Sequence, residues 1–307
     1  MKWRMFICAI CFLIGGCSLN IPLEDQFSDP DAITDVLSAR SLLASAYKAM
    51  PQQIFQLSVL SDDFCPSQHL NKDMSLQGLY NWREVEMTEL AGTLWAGYYA
   101  VIAEVNALLA RIDAVVTLDE TEKLEKMRIV CEAKALKSWC YFDLLRLFAP
   151  RYEGNENKDG IILKKRVELD FLPRSSVKEC VTEIRTLLNE ARNVDNTQKN
   201  VYWLSDKAVA YLQVELELYA GNYPAVLELT KDLETEYPES VLGADVYKYL
   251  WSSENSDARI FGKYQLEQIY MDIRFDTFEK GDYLVLSQNV DYEEEDIRKE
   301  WSEIPFV

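Results

Sequence analysis

The sequence of 307 residues is strongly acidic, with 51 aspartates and glutamates against 32 lysines and arginines and a formal net charge of −19. Nucleic acid and anionic lipid surfaces repel such a chain, so both are excluded as electrostatic partners. Because 49% of the residues are hydrophobic and 12% aromatic, the chain is no disordered acidic tail and has the apolar surface for a large core in one or two domains.

The start of the chain predicts a cleaved leader that ends at a lipid attachment site. Lys2 and Arg4 form a short positive region before an apolar run that is too short to span a bilayer. The run ends in IGGC, residues 14–17, which resembles a bacterial lipobox. We therefore predict a lipoprotein signal peptide at residues 1–16 and acylation of Cys17; the alternatives are an ordinary signal followed by a chance cysteine, or a buried strand.

Four cysteines remain after the lipid-bearing one: Cys65, Cys131, Cys140 and Cys180. No pair has the Cys-x-x-Cys spacing of zinc or redox sites. Cys131 and Cys140 lie too far apart along one predicted helix for a disulfide. Buried free thiols are the favoured interpretation, and disulfides remain open because an envelope compartment permits them.

The first predicted helix has Asp29 as its cap, Pro30 in its first position and Pro51 after its end. Its apolar residues recur at helical spacing, namely Ile33, Val36, Leu37, Ala44 and Tyr47. Residues 51–89 lack a clear period and are interpreted as mostly loop.

Two long helices are predicted next. The apolar residues of the first step by three and four: Leu94, Tyr98, Val101, Val105, Leu108 and Ile112. Asp119 and Glu122 form a capping-box-like pair for the second helix, which ends at Pro150. Its expected apolar face comprises Leu124, Met127, Cys131, Ala135, Phe142, Leu145 and Ala149. Further aromatic residues around its last turns predict burial on more than one side.

A third capped helix follows Ser176 and carries Val177, Cys180, Val181, Ile184, Leu187, Leu188 and Ala191. Beyond it, Tyr219, Gly221, Tyr223 and Ala225 resemble the centre of a tetratricopeptide repeat, in which the glycine lets two helices turn closely and the other three fill the angle. One good unit among divergent helix pairs predicts a mainly α protein, an irregular tetratricopeptide-like helical solenoid.

The C-terminal part predicts a small β-containing segment. Residues 269–275 alternate apolar and polar side chains, which indicates a strand with one wet face, and residues 283–290 are a candidate partner strand. The expected organisation is therefore helical pairs over about 30–235 and a loop and strand region over about 236–307.

In order along the chain, these pieces resemble the SusD/RagB family of outer-membrane nutrient-uptake lipoproteins. The matching stretches are the lipobox, "ASAYKAM", "LWAGYYAVIAEVNALLARID", "EAKALKSWCYFDLLRLFAP", "PRSSVKECVTEIRTLLNEA", "AVAYLQVELELYAGNY" and "QIYMDIRF". The resemblance implies a lipid-anchored, surface-exposed helical protein that binds an oligosaccharide or peptide and caps a SusC-like TonB-dependent transporter. It implies no cofactor and no covalent chemistry.

Two departures from the family pattern bear on that expectation. Family members are usually longer, with a C-terminal region that contributes much of the ligand surface. Surface-exported members often carry acidic residues within a few positions of the lipid cysteine, whereas Glu24 and Asp25 come late here. Lipidation is therefore predicted more firmly than display on the cell surface.

The loop "NKDMSLQGLYNWRE" supplies the predicted ligand site. Sugar rings pack their C–H faces on flat aromatic side chains, and nearby amides and carboxylates hold the hydroxyls. The candidate contacts are Tyr80 and Trp82 with Asn71, Asp73, Asn81 and Arg83, and Trp251 is a further candidate. The competing interpretation is that these aromatic residues pack onto the solenoid, as most aromatic residues do.

Metal and catalytic sites are not predicted. Residues 155–160, NENKDG, match half of a calcium loop, but Arg166 replaces the glutamate required at its twelfth position, so a polar turn is expected. His69 is the sole histidine, and nucleophile-elbow and phosphate-loop motifs are missing. A glycosidase needs two carboxylates, and its only support here is that four of them lie close to the aromatic loop in the sequence: Asp62, Asp63, Glu84 and Glu86.

A different class of function is left open by the same helices. Solenoid grooves also suit protein partners, so a periplasm-facing lipoprotein scaffold without any nutrient ligand is the alternative.

Overall fold

The computed structural model describes residues 33–66, 74–168, 170–192, 202–236, 260–262 and 283–285, with 293 and 296. In chain order the described elements are α1 (Val36–Lys48), α2 (Ile54–Leu60), β1 (Phe64–Pro66), α3 (Met74–Tyr80), α4 (Glu84–Arg111), a 3-10 turn (Ile112–Ala114), α5 (Glu120–Phe148), α6 (Val177–Ala191), α7 (Asp206–Tyr219), α8 (Tyr223–Glu236) and β2 (Tyr283–Val285). The protein is mainly helical, which confirms the predicted fold class.

Helix α1 begins later than the sequence predicts. Asp35 is its N-cap, with a side chain that accepts a 2.7 Å hydrogen bond from the Ser38 amide, and Ser38 bonds back to Asp35 in a capping box. Ile33 and Thr34 precede the helix, so a start at Pro30 is wrong. With this start Leu37 points outward and is 77% exposed, contrary to its predicted place on the apolar face.

The segment predicted as mostly loop contains α2, β1 and α3 and the start of α4. Each of the two short helices has seven residues, about two turns, too few for a helical period to appear in the sequence. Strand β1 pairs antiparallel with β2, with Phe64 opposite Val285 and Pro66 opposite Tyr283. Residues 269–275, the predicted partner of this C-terminal strand, lie outside the described residues.

Helices α4 and α5 form the centre of the protein and pair antiparallel, as Tyr98 opposite Asp143 and Asn106 opposite Lys137 show. All six residues predicted for the buried face of α4 are at most 5% exposed. Among the described residues, Glu84–Ala114 is also the one helix long and apolar enough to cross a membrane by length and composition. Its buried face packs against α1 and α5, as in a core helix.

Helix α5 changes character along its length. Asp119 caps it through the Glu122 amide, as predicted. Leu124 and Met127 are 50% and 45% exposed, so their assignment to the buried face is wrong, since the fully buried residues of α5 begin at Ile129. The last turns are buried around most of the circumference, which confirms the prediction made from their aromatic residues.

Helices α6, α7 and α8 complete the described helical pairs. Ser176 and Glu179 form the predicted capping box, and all seven predicted residues of α6 are buried. Gly221 has a positive φ of 71° in the turn between α7 and α8, where glycine is at no steric disadvantage. Tyr219 packs on Phe142 and Tyr152, but Tyr223 is 64% exposed, so its predicted filling role is wrong.

All four described cysteines are free thiols: Cys65, Cys131, Cys140 and Cys180. Cys140 and Cys180 are buried, and the other two are half-buried. The favoured interpretation of buried free thiols therefore holds for Cys140 and Cys180, whereas Cys65 and Cys131 are less buried than predicted.

A buried lysine belongs to the hydrogen-bond network that links the connection between α5 and α6 to the core. Lys137 is 4% exposed and donates a 2.6 Å hydrogen bond to Asn106, whose side chain in turn donates to the Lys164 carbonyl at 2.9 Å. The Tyr141 hydroxyl donates to the same carbonyl at 2.6 Å. Burial lowers the pKa of Lys137 to about 8, with Lys165 adding to the effect and Glu183 opposing it.

We expect this lysine to make the protein more stable as the pH rises from 8 towards 9.5. In that range the unfolded chain, whose lysines have the ordinary pKa of 10.5, keeps a proton that the folded chain has released. The contribution of Lys137 to the free energy of unfolding should rise by about 2 kcal/mol over this range, at about 1.4 kcal/mol per pH unit. It is measured as the difference between the wild type and a Lys137 variant, because the Cys131 and Cys180 thiols, whose pKa values burial raises, lower the stability over the same range. Denaturant titrations at pH 7.5, 8.5 and 9.5 measure it.

The variant Lys137→Met is the matched control and should lack the rise. Measurements stop at pH 9.5 because Tyr98 and Tyr141, whose pKa values burial raises, oppose the trend once the unfolded tyrosines ionise. Parallel pH profiles for the wild type and the variant would contradict the assignment.

Candidate ligand-binding site

Trp82 lies at the end of α3 in a backbone conformation that few side chains adopt. Its φ is 54°, in the left-handed region. The Arg83 amide donates to the Gly78 carbonyl at 2.9 Å and the Trp82 amide to the Leu79 carbonyl at 2.9 Å, the two hydrogen bonds of a Schellman motif. Trp82 therefore occupies the position that helices usually give to glycine.

A tryptophan at this position is energetically unfavourable for the fold. The left-handed conformation costs a non-glycine residue about 1–2 kcal/mol. The indole regains little of this through packing, because the residue is 65% exposed. Strained residues of this kind concentrate at binding sites, so the outlier supports a functional hypothesis for Trp82.

The other predicted contacts take different positions. Tyr80 is half-buried against the core, and the hydrogen bond with the Cys65 side chain, followed by the negative charge of its ionised form, raises the pKa of Tyr80. Asn81 is exposed and donates from its side chain to the Gln77 carbonyl at 2.8 Å, closing the helix end. Arg83 pairs with Glu86 at 2.6 Å. Asn71, Asp73 and Trp251 lie outside the described residues.

The carboxylates considered for a glycosidase make local structural contacts. Asp62, with a φ of 64°, ends α2 as Trp82 ends α3. Asp63 accepts a 2.7 Å hydrogen bond from Ser61, and Glu86 is the partner of Arg83. Asp62, Asp63 and Glu84 are exposed, so these residues do not form a shielded acid and base pair.

The NENKDG stretch is a turn that is stabilised by hydrogen bonds to the residues just before it and within it. The Asn155 side chain donates to the Arg151 carbonyl at 3.0 Å, and the Gly154 amide donates to Glu156 at 3.2 Å. Asp159 then pairs with Ser176 in an isolated bridge. In the described part of the chain, no group of three or more histidines, cysteines, aspartates or glutamates is arranged to hold a metal ion.

A cavity of about 280 Å³ lies between α2, α4 and α5. It is lined by Pro51, Gln53, Ile54, Leu57, Leu94, Tyr98, Trp139, Asp143, Arg146 and Leu147. Leu94 and Tyr98 are at most 4% exposed and form its floor, whereas Ile54 and Leu147 are 61% and 39% exposed and form its rim. The cavity is therefore open to solvent on one side.

Three charged or hydroxyl groups at the cavity hold one another in place. The Tyr98 hydroxyl donates to Asp143 at 2.9 Å, and Arg146 donates to the other oxygen of the same carboxylate at 2.6 Å. Burial, and then the Asp143 charge, raise the pKa of Tyr98 well above its ordinary value, so the hydroxyl stays a donor. Arg146 also stacks over the Phe142 ring at 4.5 Å, which fixes the guanidinium.

Gln53 lines the cavity, and its buried side-chain oxygen has no hydrogen-bond partner within the described part of the chain. Sequence reasoning missed this cavity, because Gln53 lies in the segment interpreted as loop. The one available signal was Asp143 and Arg146, which share a helix face inside an otherwise apolar run.

The helical hairpins define a mainly α-helical protein, and the exposed tryptophan and the open cavity are its candidate binding features. Residues 23–214 match the SusD-like family described as "Starch-binding associating with outer membrane". The chain belongs to this family, as the order of its sequence motifs indicates. No curated protein matches the sequence.

Solved structures of the superfamily share the fold. A putative sugar binding protein from Bacteroides vulgatus has 20% sequence identity and a TM-score of 0.62, and the matched region covers 75% of this chain and 54% of that protein. A SusD superfamily protein from Bacteroides thetaiotaomicron has 17% identity and a TM-score of 0.63, covering 75% and 53%. A laminarin binding SusD-like protein has 20% identity and a TM-score of 0.52, covering 67% and 45%. This chain thus spans about half the length of these structures.

Proposed function

We propose that the protein is an outer-membrane lipoprotein that binds an oligosaccharide at Trp82 and delivers it to a SusC-like TonB-dependent transporter. The observation that carries the proposal is the exposed indole of Trp82, held at a left-handed helix end that is unfavourable for so large a side chain, whereas Asp62 at the same position after α2 has the short polar side chain that tolerates it. Membership of the starch-binding SusD-like family supports the ligand class.

The chemistry of the Trp82 surface suits a neutral sugar. An indole offers a flat apolar face to the C–H groups of a pyranose ring, and the side chains of Asn81 and Arg83 beside it can bond hydroxyls. A strongly anionic glycan is disfavoured, because the whole chain carries a net charge of −19. Two of the similar structures, a sugar binding protein and a laminarin binding SusD-like protein, support the same class.

Binding without catalysis is part of the proposal. Asp63 and Glu86 are engaged in local contacts and stand exposed or half-buried beside the loop. A glycosidase needs one carboxyl group whose pKa is raised by its surroundings and a second one at a fixed distance across the bond. The described carboxylates near Trp82 supply no such pair.

The test is a binding screen of the full chain, in detergent, against a panel of oligosaccharides that includes malto- and laminari-oligosaccharides of two to seven units. We expect retention of at least one glycan with no shortened products by chromatography. A panel without any bound glycan would overturn the ligand class, and released shorter products would overturn the non-enzymatic role. Short peptides in the same screen test the other ligand class that the resemblance implies.

Lipid attachment at Cys17 gives a separate expected result. Metabolic labelling with palmitate should mark the wild-type protein, and Cys17→Ser should abolish the label and release the protein from the membrane fraction, because buried acyl methylenes contribute about 0.8 kcal/mol each to anchoring. Serine substitution at Cys11, in the predicted leader, is the matched control. A membrane-bound, normally processed Cys17→Ser protein would contradict the assignment.

Contact with a protein partner is supported by the last described helical hairpin. Leu218, Tyr223 and Leu227 are 50%, 64% and 67% exposed on α7 and α8. In the proposed role this apolar surface belongs to the transporter contact; in the alternative it binds a periplasmic partner. Protease shaving of intact cells separates the two, because a periplasmic scaffold stays protected.

A further inference from the structure

The cavity between α2, α4 and α5 has the size and chemistry of a second contact for the same ligand. We propose that it binds the terminal sugar ring of the oligosaccharide. This inference rests on the proposed function and adds to it, because it predicts recognition of a chain end in addition to the stacking surface at Trp82.

The size of the cavity limits its occupant to a single ring. Clefts that bury most of a drug-sized ligand have volumes of about 300–1,000 Å³. At about 280 Å³ this cavity lies just below that range. A sugar chain that ran through would need a second opening, whereas the described lining has a buried floor at Leu94 and Tyr98 and an exposed rim at Ile54 and Leu147.

The walls of the cavity match the two faces of a sugar ring. Leu57, Leu94 and the half-buried Trp139 provide an apolar surface for ring C–H groups. The Trp139 ring is held edge-on against Phe261 at a centroid distance of 5.1 Å, so its orientation is fixed before a ligand arrives. Preorganised contacts of this kind lose less entropy on binding.

Polar groups at the cavity are arranged to bond hydroxyls. Gln53 lines the cavity, and its Oε1 atom is a buried acceptor without a partner among the described residues, so a turn of this side chain towards the cavity lets a sugar hydroxyl donate to it. Arg146 supplies guanidinium donors near Asp143, which positions it through the 2.6 Å hydrogen bond. A ring with several hydroxyls uses both an acceptor and donors, whereas an apolar peptide side chain leaves Gln53 unsatisfied.

The experiment uses the full-length lipoprotein in detergent and the best-bound oligosaccharide of the panel described above. Leu147→Trp places an indole at the rim to block the opening, and Gln53→Met removes the unpartnered acceptor at nearly constant length. Leu124→Trp, at an exposed site on the same helix but away from the cavity, is the matched control. Affinities are measured by calorimetry, and the indole N–H signal of Trp139 is followed in a ¹⁵N-tryptophan spectrum assigned with Trp139→Phe.

We expect the affinity to fall about tenfold in Gln53→Met and at least as much in Leu147→Trp, and to stay unchanged in Leu124→Trp. In the wild type, the Trp139 signal should shift when glycan is added. Chemical capping of the two ends of the glycan in turn should weaken binding for one end only. Wild-type affinity in both cavity variants would overturn the inference and leave the proposed function standing. A Trp139 shift with apolar peptides and not with sugars would overturn it in favour of a peptide, and a wild type that binds no glycan would overturn both.

Discussion

Replacing Arg40 with alanine is expected to destabilise the protein by about 3–5 kcal/mol, since it leaves a buried carboxylate without its cation. Arg40 on α1 donates to Glu125 at 2.5 Å and 2.9 Å and to Glu132 at 2.9 Å, both on α5. Glu132 is 1% exposed. Burial of the Glu132 side chain raises its pKa, and Arg40 lowers it again. Glu132 therefore needs the arginine to stay ionised.

The same arginine joins a third part of the chain. Its guanidinium stacks over the Trp203 ring at 4.9 Å, and Tyr47 packs edge-on against that ring at 5.1 Å. The Leu204 amide donates to the Tyr47 hydroxyl at 3.1 Å. Arg40→Ala therefore removes packing between α1, α5 and the start of α7 in addition to the charge, which places the expected loss at the upper part of the range.

Denaturant unfolding of the variant measures this loss. Lys123→Ala is the control, because Lys123 forms an exposed pair with Glu120 at 3.4 Å and its removal should change the stability by less than about 0.5 kcal/mol. The double variant Arg40→Met with Glu132→Leu removes both charges and should recover most of the loss. A loss below about 1 kcal/mol in Arg40→Ala would show that water reaches this pair.

Replacing Trp82 with alanine should lower the oligosaccharide affinity about thirtyfold. Central aromatic anchors contribute about 2 kcal/mol or more to binding, and each 1.4 kcal/mol is a factor of ten. Trp82→Gly should lose the same affinity, because both variants lack the indole. Calorimetry with the best-bound oligosaccharide of the panel measures the two losses.

The two variants should differ in fold stability. Glycine adopts the positive φ of position 82 without strain, whereas alanine keeps the strain, so Trp82→Gly should be about 1 kcal/mol more stable than Trp82→Ala. Gly221, which already occupies the same turn position after α7, is the internal reference for this geometry. Unchanged affinity in both variants of a protein that binds glycans would remove Trp82 from the site.

Long, strongly patterned helices were predictable, and short elements were not. The six residues of the α4 face and the seven of α6 could be read because three or more turns repeat one apolar period. Helix α2 has too few turns for that signal, and it supplies Ile54 and Leu57 to the cavity wall. The start of α1 was misplaced because Asp29 and Asp35 both precede apolar residues, and only the Ser38 bond distinguishes them.

Candidate site residues were predictable by chemistry and less so by exposure. Composition and position selected Tyr80 and Trp82 together, but the structure half-buries the first and exposes the second. The left-handed conformation of Trp82 has no sequence signal, because helix ends of this type are expected at glycine. Nor does a sequence show that the Gln53 side-chain oxygen has no partner among the residues that the structure describes, because this depends on the packing of three helices.

The pairing of β1 with β2 affects how this protein is made. Phe64 and its partner Val285 lie 285 − 64 = 221 positions apart, so the ribosome adds more than two hundred residues after β1 before this ladder can close. Until then β1 presents unpaired backbone groups to the nascent chain and its chaperones. In the lipoprotein role proposed above, export before folding would keep both strands in one unfolded polypeptide until they meet in the same compartment.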